Sequence, residues 1–415
     1  MRRRALELAA RAIERCLNAD SSDHAGATLR CDCGKVARYA GRHEKTFLSA
    51  LGPLRLLRAY YYCDGCKSGL CPRDRTLGFG GSSLSPAITR MVGLVGAMVS
   101  FAEGSELMRE LAGVAVEAKQ VERTAEALGH EIAADEREVL EPEPPAAPTL
   151  YLGMDGTGVP MRRSELEGRA GKQPDGSAKT REVKLCTLWT AESRDEGGHA
   201  VRDPGSVSYS AAIESAASRD TDEAVSEFAQ RVDREARRRG FDQARRRVVL
   251  GDGALWIWNL ADGQLPGAVQ IVDLYHAKEH LSEVAKAIYG PTSDLGRQWA
   301  KTRHDELDQG KLDALLHALR VHAQHNDEAR RCLDYITRNQ DRMRYPDFRA
   351  QGLCVSSGVV EAGCKVAIGT RLKRAGMHWT VAGANAIAAL RCCKLSGRFE
   401  GFWERRSAVA VAGER

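Results

Sequence analysis

Three apolar segments after residue 150 each end on an aspartate, and this pattern constrains the fold more than any other feature of the sequence. The segments run from 151 to Asp155, from 247 to Asp252 and from 268 to Asp273. Their apolar character predicts buried strands. Further strands are expected at 183–189 and 206–210, and helices near 221–239 and 254–260. The order β, β, β, α, β, α, β implies a mixed sheet whose strand ends carry the chemistry.

A proline-rich segment, EPEPPAAP at 141–148, predicts a semi-rigid linker that divides the chain. Cysteines cluster before this linker, and strands alternate with helices after it. We therefore expect a mixed α/β fold of the α+β multidomain kind. Its expected segments are an N-terminal helix (1–28), a cysteine-rich β segment (29–80), a helical segment (81–140), the linker (141–149), a sheet domain (150–275 and 352–400), an all-α insertion (276–351) and a C-terminal tail (401–415).

The composition is that of an ordinary globular protein. With 415 residues, of which 43% are apolar and 28% charged, the chain can form two or three packed domains. A formal net charge of +5 mildly favours an acidic partner such as nucleic acid. No stretch approaches the length of uninterrupted apolar sequence that crosses a membrane, so we expect a cytoplasmic protein with no membrane partner. The glycine-rich patterns of nucleotide-binding loops are absent, which predicts no nucleotide cofactor.

Two of the strand-end acids and a later glutamate suit phosphodiester chemistry. Asp155 and Asp252 follow apolar strands, and Glu361 lies early in a helix expected at 358–373. Carboxylates at strand ends and on a helix packed across the sheet can hold two divalent ions. Because Asp-Gly after a strand is also a common turn signal, a purely structural role for either aspartate is an open alternative.

Longer motifs are distributed along almost the whole chain. They are RAYYYCDGC (58–66), DGTGVP (155–160), VLGDGALWIW (249–258), IVDLYHAKEH (271–280) and HWTVAGANA (378–386). They resemble motifs of the ISKra family of bacterial insertion-sequence transposases. The resemblance implies a DDE-type transposase with a ribonuclease-H-like catalytic domain. It matches Asp155, Asp252 and Glu361 to the catalytic triad, which binds Mg²⁺ or Mn²⁺, and it implies a helical insertion before the glutamate.

One further pair of residues follows the last predicted strand. Asp273 and His276 form an Asp-x-x-His pattern that is similar to a Cys/Asp-x-x-His motif of related transposase families. The pair can anchor the helical insertion through hydrogen bonds or assist directly at the active site, and both roles are open. We expect Lys278 and His280 to be surface residues.

The cysteine-rich segment contains two pairs of metal-ligand spacing. Cys31 and Cys33 form the first pair, and Cys63 and Cys66 form the second after 29 intervening residues. They resemble the two knuckles of a zinc ribbon, in which zinc coordination replaces a hydrophobic core. The first pair has one intervening residue instead of two or more, so Cys71 is a possible substitute ligand. A metal-free β-hairpin domain is the alternative.

Two groups of residues are candidates for contact with DNA. Helices expected at 101–113 and 117–128 have helix-turn-helix spacing, with Lys119, Gln120 and Arg123 at the start of the second helix. Near the C-terminus, cations and an aromatic side chain are positioned to hold phosphates and stack a base. This second group comprises Lys365, Arg371, Lys373, Arg374, His378 and Trp379. An ordinary helical hairpin and a solvated charged face are the respective alternatives.

The sequence therefore predicts a transposase that binds the terminal inverted repeats of an insertion sequence and catalyses DNA cleavage and strand transfer. Its partners would be double-stranded DNA, at the transposon ends and the target, and a second copy of the chain, because two ends have to be paired. An inactive copy that only binds DNA is one alternative. A ribonuclease-H-fold nuclease that recognises DNA structure is another.

Overall fold

A computed structural model describes residues 1–138, 146–171, 173, 176–217, 225–356 and 358–412 of the chain. These residues form a mixed α/β structure with two compact units, Met1–Asp135 with Gly397–Arg415, and Glu136–Ser396. The mixed α/β class is the one predicted. Residues 141–145 of the expected linker lie outside the described residues. Within the described part of the chain, no helix is both long and apolar enough to cross a membrane.

The first unit contains an antiparallel sheet of order β1-β2-β3-β4. Its elements are α1 (Arg2–Ala19), β1 (Thr28–Arg30), β2 (Val36–Ser49), β3 (Gly52–Cys63), β4 (Ser68–Leu70) and α2 (Pro72–Thr76). Alternate side chains of β3 are buried, among them Leu54, Leu56, Tyr61 and Cys63. Leu54 and Leu56 belong to one hydrophobic cluster, and Tyr61 and Cys63 belong to another. Because successive side chains of a strand point to opposite faces, β3 buries one face of the sheet in its first half and the other face in its second half.

Helices complete the first unit. They are α3 (Pro86–Met98), α4 (Phe101–Leu107), a π-helical turn (Met108–Ala112) and α5 (Ala118–Glu138), with a C-terminal helix at Phe399–Ala412. Ser100 and Glu103 form a capping box that starts α4, and Gly113 ends the π-helical turn with a φ of 73°. The expectation of a C-terminal tail at 401–415 is wrong for its described part, which is helical. Arg405 of this helix pairs with Asp135 of α5 at 2.5 Å.

The second unit contains the mixed sheet, of order β11-β10-β5-β6-β9. Its strands are β5 (Thr149–Pro160), β6 (Thr180–Trp189), β9 (Ser208–Ala212), β10 (Arg246–Gly251) and β11 (Val269–Val272), while β7 (Ser193–Arg194) and β8 (Ala200–Val201) pair separately. β5, β6 and β9 are antiparallel neighbours, whereas β10 runs parallel to both β5 and β11. The carboxyl ends of β10 and β11 therefore meet at one edge of the sheet.

The position of Asp155 differs from the predicted strand end. The parallel pairing between β5 and β10 ends at Gly153, but the antiparallel pairing between β5 and β6 continues through Asp155 to Pro160. Asp155 thus lies in the middle of β5 and just beyond the parallel ladder. The longer strand results from pairing with a distant segment, which the local pattern of apolar residues does not encode.

The second unit also contains helices. They are α6 (Glu227–Arg238), α7 (Leu255–Gln264), α8 (Leu274–Tyr289), α9 (Asp294–Asp308), α10 (Leu312–Ala323), α11 (Asp327–Asn339), α12 (Tyr345–Ala350), α13 (Gly358–Gly363), α14 (Thr370–Leu372) and α15 (Val381–Leu395). Helices α8–α12 form an all-α segment between β11 and α13. The helix expected at 358–373 is divided by a π-helix, Cys364–Gly369, between α13 and α14. Arg391 of α15 donates to the Val366 carbonyl within this π-helix at 2.6 Å.

Candidate functional site

The acidic side chains predicted from the sequence meet in a cleft of about 510 Å³ at the edge of the mixed sheet. Asp155 comes from β5, Asp252 follows β10, and Glu361 lies on α13. The structure therefore brings the three predicted catalytic acids to one cleft. Asp273 and His276, the predicted auxiliary residues, line the same cleft.

Asp252 belongs to a turn and also faces the cleft. Its Oδ1 accepts a hydrogen bond from the Ala254 main-chain N–H at 2.9 Å, and Gly253 between them has a φ of 97°. This backbone conformation favours glycine. Asp252 is therefore compatible with both roles of an Asp-Gly sequence, a structural role in a turn and a role in the candidate site.

Asp155 is half-buried and held by two donors. Its Oδ1 accepts the Gly156 main-chain N–H at 2.6 Å, and the Cys364 thiol also donates to its carboxylate. Burial raises the pKa of Asp155, and the nearby Asp252 carboxylate raises it further. The two hydrogen bonds and His276 act in the opposite direction. The residues that line the cleft include five carboxylates and one lysine, so the cleft carries an excess of negative charge.

Glu361 reaches the cleft because α13 packs very closely on the sheet. A Cβ atom at Gly153 of β5 would lie 2.2 Å from Cγ2 of Val360, the residue before Glu361. A Cβ atom at Gly363 would lie 2.9 Å from Cδ2 of Leu185 in β6. These two glycines permit the close approach, and the exposed Glu361 is placed at the rim of the cleft as a result.

Asp273 begins helix α8 as its N-cap. Its Oδ1 accepts the His276 main-chain N–H at 2.6 Å, and its own N–H donates to the Gly251 carbonyl at 2.8 Å. Asp273 is 4% exposed. These bonds support the anchoring role for Asp273, while the His276 ring lines the cleft and lies 3.7 Å from a carboxylate oxygen of Glu279.

The cleft is completed by Lys278 of α8 and His304 of α9, whereas His280 lies outside its lining. The sequence assigned none of them to the site. Lys278 lines the cleft, where it pairs with Asp308, so its expected surface role is wrong. His280 is half-buried against Tyr335, with ring centroids 4.4 Å apart, and burial lowers its pKa. The four-residue spacing of His276 and His280 on one helix was an available signal. For His304, which hydrogen-bonds the Lys278 carbonyl at 2.9 Å, the local sequence offers none.

The predicted cysteine ligands form a second candidate site in the first unit. The Sγ atoms of Cys31 and Cys66 are 3.5 Å apart, and those of Cys33 and Cys63 are 3.6 Å apart. A tetrahedral zinc with bonds of about 2.3 Å requires sulfur separations of about 3.8 Å. Among the described residues, this is the one group of three or more potential ligands whose atoms all lie within 4.8 Å. Cys71, the substitute considered above, is not part of it.

The predicted C-terminal DNA contacts divide into exposed and buried residues. Arg371 is fully buried and Trp379 is 5% exposed, so the prediction that these two side chains contact DNA is wrong. The Arg371 guanidinium lies over the Trp379 ring at 5.2 Å, and the indole N–H donates to the Leu372 carbonyl at 2.9 Å. Both side chains therefore belong to the packing of this unit. The remaining candidates are the exposed Lys365, Lys373 and His378 and the half-buried Arg374.

The predicted DNA-reading residues of the first unit lie at the start of α5. Lys119 and Arg123 are exposed, and Gln120 is half-buried. Lys119 pairs with Glu122 at 2.8 Å, so part of its charge is compensated within the helix.

The sequence matches no protein-family model and no curated protein.

Proposed function

We propose that this chain is a DDE-type DNA transposase of the ISKra kind, with a ribonuclease-H-like catalytic domain. The observation that carries the proposal is the convergence of Asp155, Asp252 and Glu361 in one cleft. The sheet order β9-β6-β5-β10-β11, an antiparallel meander followed by two parallel strands, supports the expected fold. The all-α segment between β11 and α13 corresponds to the expected insertion before the glutamate.

The donor set of the cleft suits hard divalent cations. Asp155, Asp252 and Glu361 would hold Mg²⁺ or Mn²⁺, which prefer carboxylate oxygens. The raised pKa of Asp155, caused by burial and then by the Asp252 carboxylate, is an electrostatic cost that a cation would relieve. When bound, a pair of such ions stabilises the attacking and leaving oxygens of a phosphodiester displacement.

The protein side chains around the acids have separate tasks. Cys364 and the Gly156 N–H orient the Asp155 carboxylate, and the N-cap bond of Asp273 fixes the start of α8, which carries His276 into the cleft. Lys373 donates to Thr157 Oγ1. Thr157 and Asp155 lie on the same face of β5, so this bond holds the Lys373 ammonium group on the side of β5 that carries Asp155. There the positive charge can attract a DNA phosphate.

The cysteine cluster supports the zinc-ribbon part of the proposal. The sulfurs lie at the turn between β1 and β2 and the turn between β3 and β4, and their separations fit one tetrahedral zinc ion. Bound zinc would fix these turns relative to each other. We assign the exposed Lys119 and Arg123 to contacts with double-stranded DNA, and we expect a homodimer on paired transposon ends.

The test is a cleavage and strand-transfer assay with Mg²⁺ on duplexes that carry the inverted repeats flanking the gene. Asp252→Asn and Glu361→Gln should each abolish cleavage while DNA binding persists. Asp313→Asn is the matched control, because Asp313 is an exposed acid on α10 of the same unit. Wild-type cleavage by either site variant would refute the triad. Binding to the repeats without cleavage under any divalent ion would instead indicate an inactive copy, and cleavage that depends on DNA structure alone would indicate a nuclease.

A further inference from the structure

A tyrosine of the all-α segment contacts the turn that carries Asp252. The Tyr335 hydroxyl, on α11, donates to the Asp252 main-chain carbonyl at 2.8 Å. The ring also lies over the next residue, because a Cβ atom at Gly253 would be 2.5 Å from Cε2 of Tyr335. Tyr335 is not among the described residues that line the cleft. It contacts Asp252 through the main-chain carbonyl and not through the carboxylate.

The backbone at this turn needs such support. The parallel ladder of β10 ends at Gly251, so the Asp252 carbonyl lies beyond the regular hydrogen bonds of the sheet. A carbonyl in this position requires another donor, and Gly253, with its φ of 97°, gives the turn wide conformational freedom.

The same ring also contacts α8. The Tyr335 and His280 rings are 4.4 Å apart between centroids, and His280 in turn makes an edge contact with His276 at 4.8 Å. One turn further along α11, the Asn339 side-chain amide donates to the Tyr335 carbonyl at 3.0 Å. One side chain of the insertion therefore contacts the Asp252 turn and the helix that supplies His276.

We infer that Tyr335 is a positioning residue that holds the Asp252 carboxylate in its cation-binding orientation and thereby couples the all-α segment to the site. The inference rests on the proposed function in one respect, namely that Asp252 is a cation ligand. It adds that the insertion contributes to the affinity of the site, although Tyr335 itself does not line the cleft.

The test compares two hydroxyl deletions in the full, zinc-loaded chain. Tyr335→Phe removes the bond to Asp252, and Tyr345→Phe removes an equivalent 3.1 Å bond from a buried hydroxyl to the Val272 carbonyl at the end of β11. Mn²⁺ affinity is measured from the electron paramagnetic resonance signal of free Mn²⁺, without DNA, with Asp252→Asn as the reference for loss of the site. Thermal melts measure the stability of each variant.

Each deletion should lower stability by a similar amount, since each removes one hydrogen bond to a main-chain carbonyl. Only Tyr335→Phe should weaken Mn²⁺ binding, by roughly fivefold to tenfold, because the free energy of one such bond is then needed to order the turn. Equal Mn²⁺ affinity in Tyr335→Phe and the wild type overturns the inference. Equal weakening in both variants also overturns it, because a general loss of packing would then explain the effect.

The direct binding measurement separates this inference from the proposed function. If Mn²⁺ binding depends on Asp252 and Tyr335 but the wild type cuts no transposon end, the proposed function fails and the positioning role stands. If the wild type cuts transposon ends while Tyr335→Phe keeps its Mn²⁺ affinity, the positioning role fails and the proposed function stands. If the wild type shows no Mn²⁺ binding that depends on Asp252, the inference is wrong.

Discussion

Substitution of Gly153 by alanine should displace the helix that carries Glu361. The added Cβ would lie 2.2 Å from Cγ2 of Val360 and 3.0 Å from Cζ3 of Trp189. Ordinary van der Waals contact begins at 3.4 Å, so the contact with Val360 has to open by at least 1.2 Å. Valine in a helix has one strongly preferred side-chain rotamer, so α13 has to move instead.

Two effects of this movement have a definite size. Overpacking a buried contact typically costs about 1–3 kcal/mol, and we expect Gly153→Ala to lose stability within that range. A displacement of about 1 Å at a reacting group can lower a rate by about 100-fold. Because Glu361 follows Val360 directly on α13, the cleavage rate should fall by about that factor while DNA binding is retained.

The assays are urea denaturation and cleavage of transposon ends under single-turnover conditions. Gly263→Ala is the matched control: Gly263 lies in helix α7, where an added Cβ meets no atom within 4 Å, and alanine should stabilise the helix by about 0.5–1 kcal/mol. The double variant Gly153→Ala with Val360→Ala should be less destabilised than the sum of the single variants, by roughly 0.5–3 kcal/mol.

The reasoning is refuted if Gly153→Ala unfolds within about 0.5 kcal/mol of the wild type and cuts transposon ends at the wild-type rate. Additive stabilities in the double-variant cycle would also refute it, because Gly153 and Val360 would then not compete for space. Loss of stability with an unchanged cleavage rate would leave the packing argument intact but separate Glu361 from the reaction.

Other perturbations address the remaining parts of the structure. Burial raises the pKa of Asp155, so ionisation of this carboxyl group lowers the stability of the folded protein as pH rises through the folded-state pKa. Without metal, Asp155→Asn should therefore have a higher melting temperature than the wild type at pH 8, and the difference should close towards pH 4. Equal melting temperatures at both pH values would contradict this. Cys63→Ser should lose bound zinc by elemental analysis and lower the melting temperature, whereas Cys16→Ser, which changes an exposed free thiol, should do neither. Trp379→Ala should lower the free energy of unfolding, measured by urea denaturation, by about 3–5 kcal/mol. Substitution of its exposed neighbour, His378→Ala, should change that free energy by no more than about 0.5 kcal/mol. Equal losses would show that Trp379 is not a packing residue.

The strand-end acids show what local sequence predicts well. Asp252 and Asp273 directly follow β10 and β11, as their apolar segments indicated. Asp155 lines the expected cleft but lies within a longer strand, because β5 pairs with β6 beyond it. The extent of a strand depends on its partner, and the partner is remote in sequence.

The basic C-terminal segment shows where local sequence was misleading. Arg371 and His378 look alike as polar residues in a charged run, yet Arg371 is buried over Trp379 and His378 is exposed. The π-helix at Cys364–Gly369 changes which side chains of the predicted helix face inward. A regular helical period therefore assigns the wrong faces to the residues after it.

The sequence by itself determined the local elements: the apolar strands, the acids that follow them, the cysteine pairs and the amphipathic helices. Those features depend on periodicity and on residue types within a few positions of each other. Only the tertiary structure decided that Glu361 lines the same cleft as Asp155, that Gly153 leaves room for the helix that carries it, and that Tyr335 contacts the Asp252 turn. These relations depend on close packing between segments far apart in the chain, and packing is set by the shapes of the surfaces that meet.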